Sequence, residues 1–188
     1  MSLILLIDSV HSELAVALIR DATAKFKVYK VQKQHDKNIN RLVKELLTEE
    51  SVTFEDLSSY AVVVGPGSWT GCRVGVAAVK GYAMACPKPV VAINSLDAIG
   101  DPSALRSNLD NYYIKRGSKY TCEKLSYENT PSMTRGVPEA GCLNGFATIE
   151  SIGIEGYRTR LIELARKGKR IGAKELQPFY LTDFVMKS

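Results

Sequence analysis

The residues of this chain whose types and spacing can do chemistry lie in two short stretches. One is Gly65-Pro66-Gly67-Ser68-Trp69-Thr70-Gly71. It follows an apolar run, Tyr60 to Val64, and precedes a helical pattern rich in small residues, Cys72 to Ala85. A strand, a glycine-rich turn and a helix aim backbone N–H groups at one point, an arrangement suited to a phosphate or other anion. The loop departs from the known patterns, however. No Lys follows its last glycine, as a Walker-type phosphate loop requires, and Thr70 stands where the dinucleotide pattern G-x-G-x-x-G needs glycine.

The other stretch is Asp8-Ser9-Val10-His11, at the end of the apolar run Leu3 to Ile7. A carboxylate at the end of a first strand can hold a metal-bound phosphate if the next backbone N–H groups wrap the anion. Val10 stands near the position where a glycine would allow that wrapping, and its branched Cβ stiffens the turn. Capping of its own turn and phosphate–metal binding both remain open for Asp8. Asp8, Ser9, Gly65, Gly67 and Ser68 together form a candidate phosphate loop, read as vestigial.

Other chemistry is poorly supplied. His35 precedes a helix without a nucleophile beside it and suits a capping or surface role. Gly67-Ser68 lacks the G-x-S-x-G spacing of a nucleophile elbow. No paired carboxylates stand out. Cys72, Cys86, Cys122 and Cys142 show no C-x-x-C spacing, and with His11 and His35 alone beside them a metal site is not expected. The cysteines read as reduced thiols in a reducing compartment. Trp69, the single tryptophan, is expected to anchor its loop by packing; a base-stacking role finds no other aromatics nearby in the sequence.

The elements that must position these residues follow from periodicity. Leu3 to Asp8 reads as a buried strand, and two alternating segments, Glu13 to Arg20 and Lys25 to Val31, complete an antiparallel meander. A helix capped by Asp36 or Asn38 follows, with Ile39, Leu42, Val43, Leu46 and Leu47 on one face. Strand Tyr60 to Val64, a helix over 70–85, strand Pro89 to Ile93 and a short turn at Leu96 to Ile99 complete the first half. The order β-β-β-α-β-α-β over 1–99 is that of the ribonuclease H-like fold, the half-unit of the actin-like ATPases (the ASKHA fold). This α/β first lobe is followed by a reduced second lobe, 100–188. There, strands are expected at 109–114 and 119–125 around Arg116-Gly117, a loop-rich stretch at 126–145, a helix at 157–167 stopped by Gly168, and a closing edge strand at 178–181.

The helix over 70–85 is unusual. Its charged side chains are Arg73 and Lys80 alone, and Gly75 and Gly81 sit inside it, each costing about 1 kcal/mol relative to Ala. Close backbone approach and burial on more than one side are expected, with a sheet on one side and a lobe or partner protein on the other.

The chain is 188 residues long, 45% hydrophobic and 24% charged, a soluble globular composition. The run Leu3 to Ile7 is too short to span a bilayer, so a cytoplasmic protein is expected. Net charge is +5, concentrated near the C-terminus. Within 158–174 Arg158, Arg160, Arg166, Lys167, Lys169, Arg170 and Lys174 face Glu163 alone. Such a segment reads as a solvated helix face or a nucleic-acid footprint, with Lys167, Lys169 and Arg170 as candidate contacts.

These motifs together resemble the TsaB (YeaZ) family. Its G-P-G-S-[FW]-T-G-x-R-[IV]-G signature is matched by Gly65-Pro66-Gly67-Ser68-Trp69-Thr70-Gly71-Cys72-Arg73-Val74-Gly75. Its first strand ending in Ile-Asp is similar to Ile7-Asp8, its His-led helix to His35 through Leu47, and its Ser-Leu-x-Ala to Ser95-Leu96-Asp97-Ala98. The match covers residues 3–99; the second half is shorter than the family's, and Thr182 replaces the arginine of its closing Pro-x-Tyr-Leu-Arg. The resemblance implies a role in making N6-threonylcarbamoyladenosine next to the anticodon of tRNAs that read codons beginning with A. It implies a non-catalytic scaffold or activator that binds the transferase TsaD, which holds the ATP and metal, with the ATPase TsaE joining them. In its partner's absence the chain is expected to form a homodimer. The docking surface is expected on the two first-lobe helices, at Ile39, Leu42, Val43, Leu46, Arg73, Gly75, Val76, Ala77, Val79 and Lys80. No catalytic residue, cofactor or metal is assigned to the chain itself. The alternative is an actin-like ATP-binding enzyme acting on its own.

Overall fold

A computed structural model describes residues 2–30, 35–107, 111–124 and 146–181. It is a mixed α/β structure. The chain runs β1 (Leu3–Asp8), β2 (Leu14–Arg20), β3 (Thr23–Tyr29), α1 (His35–Glu49), β4 (Ser59–Gly65), α2 (Trp69–Ala85), β5 (Val90–Asn94) and α3 (Ser95–Ile99). It continues through β6 (Ser103–Arg106), β7 (Asn111–Arg116), β8 (Lys119–Lys124), α4 (Ile149–Lys167) and β9 (Arg170–Ile171).

Six strands form one sheet in the order β3-β2-β1-β4-β5-β9. The meander β1–β2–β3 is antiparallel, β1, β4 and β5 are parallel, and β9 runs antiparallel to β5. Register places Leu6 opposite Ala17 on one side and Ala61 on the other. Because successive side chains on a strand point to opposite faces, β1 feeds two cores. Leu3, Leu5 and Ile7 pack beneath α1 and α2, whereas Ile4 and Leu6 pack beneath α3 and α4. A strand apolar at every position but its last thus needs cover on both faces, and the two helical layers supply it.

A second sheet, β6-β7-β8, holds the hairpin expected at Arg116-Gly117, with Gly117 at φ +57°. α4 begins eight residues before Tyr157, because Thr148 and Ser151 form a reciprocal capping box that starts the helix there. It kinks at Gly153 (φ +70°). The expected closing strand at 178–181 is not a strand. Pro178 has no N–H to give a ladder, and the segment is held by the Phe179 N–H donating to Val64 O (2.8 Å). The edge position is taken by β9.

α2 is buried on one side, not on several. Cys72, Gly75, Val76, Val79 and Ala83 face the core, while Thr70, Arg73, Ala77, Gly81 and Met84 are exposed. A Cβ on Gly81 would meet nothing within 4 Å, so the close approach expected there does not occur.

Candidate functional site

The turn after β1 and the loop before α2 meet at the end of the central strands, and they are zipped together. Ser9 Oγ donates to Gly71 O at 2.8 Å in a buried hydrogen bond. The Ser68 N–H donates to Val10 O at 2.8 Å. A Cβ on Gly67 would lie 2.6 Å from Val10 O, one on Gly71 would collide with the Ser9 carbonyl, and one on Gly75 with Ser9 Oγ. Gly65 adopts φ +111°, and a side chain there would press on Phe179 O and Cys72 Sγ. The glycines therefore bring two backbones into contact, and the space between the loops is filled by the chain's own atoms.

The helix donors are also engaged locally. Ser68 caps α2: the Gly71 N–H donates to Ser68 Oγ (3.1 Å) and the Cys72 N–H to Ser68 O (2.8 Å). Ser95 Oγ donates to Pro66 O, fixing the loop from the β5 side. Asp8 caps its own turn, its Oδ1 accepting from the Val10 N–H at 3.1 Å. The structure thus brings Asp8, Ser9, Gly65, Gly67 and Ser68 together, as a packed junction. Burial pushes the Cys72 thiol beside them up to about 11, so it is not a nucleophile at neutral pH.

Two groupings carry no sequence signal. Buried Tyr157 of α4 reaches the end of β1: its hydroxyl lies 2.9 Å from His11 Nε2. Burial, and then the Asp8 carboxylate, hold its ionisation well above the ordinary tyrosine range. Asp8, His11 and Tyr157 line a cavity of about 670 Å³ with Phe26, Lys30 and Arg158. Elsewhere, Trp69 stacks on Tyr180 (4.5 Å between centroids), and Arg73 Nε donates to Tyr180 Oη at 3.0 Å. The aromatic neighbour that Trp69 lacks in sequence arrives from over a hundred residues away. Periodicity cannot show such pairings. His35 is the first residue of α1.

The expected docking residues do not share an outward face. Ile39, Leu42, Val43, Leu46, Val76 and Val79 are in the core beneath the helices, and Gly75 is closed against Ser9. Their apolar periodicity reports the side that meets the sheet. Arg73 and Ala77 are exposed and Lys80 is half-buried. Beside them α1 presents Lys37, Asn40, Arg41 and Lys44, and Tyr82 Oη donates to Asn40 Oδ1 at 2.5 Å to join the two helices. Lys167, Lys169 and Arg170 are exposed together at the end of α4 and on β9. Among the described residues no group of three or more His, Cys, Asp or Glu could hold a metal, and no helix is long and apolar enough to cross a membrane. Cys142 lies outside the described residues.

Relatives agree with the signature. The chain is 36% identical over 122 residues to the tRNA threonylcarbamoyladenosine biosynthesis protein TsaB of Bacillus subtilis, covering 63% of this chain and 53% of that protein. It is 30% identical over 93 residues to the protein of the same name from Escherichia coli, covering 50% of this chain and 40% of that one. The chain is thus similar in sequence to TsaB (YeaZ) proteins. It spans about half the length of the curated TsaB proteins it matches. The fold agrees with that of YeaZ from Pseudomonas aeruginosa, with a TM-score of 0.68 at 19% identity over 96% of this chain and 100% of that one. Residues 29–110 also match the family described as TsaD: tRNA N6-adenosine threonylcarbamoyltransferase, so this segment shares its pattern with the transferases.

Proposed function

We propose that this chain is a non-catalytic activator subunit in the biosynthesis of tRNA N6-threonylcarbamoyladenosine, working in the cytoplasm by binding a TsaD-type transferase. The observation that carries the reading is the packed junction of the two loops. An actin-like ATPase opens a phosphate cradle there, whereas here Ser9 and Val10 fill it against Gly67, Ser68 and Gly71. A chain without its own cradle acts through a partner that has one. The printed names of the TsaB relatives, and the shared segment with the TsaD family, support that pathway.

In this reading residues 1–99 are the actin-like first lobe, in the ribonuclease H-like order, and 100–188 a reduced second lobe. The docking surface is the outward face of α2, Arg73, Ala77, Gly81 and Met84, with the exposed side of α1. Small side chains there let a partner helix approach closely, and Met84, 77% exposed, adapts to it. A TsaE-type ATPase joins the pair, and the lone chain closes the same face as a two-fold dimer.

The test is size-exclusion chromatography with light scattering on the chain mixed with its TsaD partner. The unmodified chain is expected to form a stoichiometric complex, and Ala77→Glu and Gly81→Glu, both at open positions, to weaken it at least ten-fold with the circular dichroism unchanged. A complex that tolerates both substitutions places the surface elsewhere; no complex at all overturns the reading.

A further inference from the structure

We propose that the surface formed by the last turn of α4, β9 and the turn after it binds the phosphate backbone of RNA. Arg166, Lys167, Lys169, Arg170 and Lys174 are all exposed and fall within nine residues of chain without an acidic residue among them. None has a carboxylate within ion-pair distance among the described residues. Several cations elsewhere are ion-paired: Lys25 and Lys27 with Glu49, Arg41 with Glu45, Lys115 with Asp97 and Asp101, Arg116 with Glu123, and Arg158 with Glu13 and Glu155.

Local structural roles account for part of the cluster only. Arg166 and Lys167 complement the negative end of α4. That field fades within the last turn, and Lys169 and Arg170 lie beyond the Gly168 cap. A single cation is enough to guard an edge strand such as β9. Five unneutralised cations repel one another, and a polyanion removes that repulsion. Among the described residues the exposed large hydrophobics are Trp69, Met84 and Ile154, none of them in this segment. A protein interface needs a desolvated apolar anchor at its centre, whereas a phosphate surface does not. RNA therefore fits the strip better than an acidic protein. That the polyanion is RNA, and tRNA in particular, rests on the proposed function; the charge argument does not.

The experiment is fluorescence anisotropy of a labelled, unmodified tRNA transcript against the full chain across a salt series. Five phosphate contacts predict a loss of affinity of about a hundred-fold or more between about 50 and about 200 mM salt. Neutralising Lys167, Lys169 and Arg170 to Ala should leave a loss of about ten-fold and weaken binding at low salt, and the control Lys25→Ala with Lys27→Ala should change neither. Absent binding at low salt, or a slope unchanged in the triple variant, overturns the inference. So does a triple variant that loses the TsaD partner in chromatography while retaining RNA, which would make the strip a protein-docking site. Salt-dependent RNA binding by a chain that forms no complex with TsaD would keep this inference and overturn the functional reading alone.

Discussion

Gly71 and Gly81 sit ten residues apart on one helix and do opposite things. A Cβ on Gly71 would enter the Ser9 carbonyl, and the backbone contact it permits is what closes the loop junction. Gly71→Ala should therefore destabilise the chain by about 2 kcal/mol through overpacking, read as a lower urea midpoint. Gly81 is exposed with nothing near it, so Gly81→Ala should raise stability by about 0.5–1 kcal/mol through helix propensity alone. The opposite signs separate a packing role from a permissive one. The sequence marked the glycines but could not tell them apart, because spacing within a helix says nothing about which turn of another segment lies opposite. Tyr82, pushed up to about 12 by burial, shows the same limit: its bond to Asn40 depends on two helices meeting, not on either pattern.

Among the elements, the turn after β1 is tied to α4 by the hydrogen bond between His11 and Tyr157. Tyr157→Phe removes the hydroxyl from that tie and should cost about 1–2 kcal/mol at neutral pH. The pH dependence follows from the direction of the shift. The folded state holds the Tyr157 proton more tightly than the unfolded chain does, so its contribution is complete below the ordinary tyrosine value and is lost as pH rises past about 10. Tyr157→Phe should therefore flatten the alkaline fall in stability, measured by urea unfolding between pH 9 and pH 11; an unchanged slope would place the hydroxyl in water. The elements themselves were largely legible. The amphipathic spacing of Ile39, Leu42, Val43, Leu46 and Leu47 located α1, and Arg116-Gly117 located the β7–β8 turn. The same apolar spacing misled at the next level, since Ile39, Leu42, Val43, Leu46, Val76 and Val79, read as docking residues, are on the inward side of the helices. Burial against one's own sheet and burial against a partner leave the same mark on a sequence. The closing strand at 178–181 failed for a local reason: apolar and aromatic residues favour strands, but Pro178 withholds a donor, and the bond from the Phe179 N–H to Val64 O of β4 is the tie that holds the segment.

At the scale of the molecule, the chain keeps the layered α/β frame of YeaZ and packs the turn after β1 against the loop before α2. Its free surfaces are distinct in chemistry: a small-residue face on α2, suited to a helix, and a cationic strip past α4, suited to a polyanion. Under the proposed function, that division suits a subunit that brings a catalyst and its tRNA together. The most direct test is to measure threonylcarbamoylated tRNA formed by the TsaD partner alone, by this chain alone, and by the two together with the transferase's substrates and TsaE. The account predicts no product from this chain alone and at least a ten-fold gain in product when it joins the transferase. Product made by this chain alone, or a transferase indifferent to its presence, would contradict it.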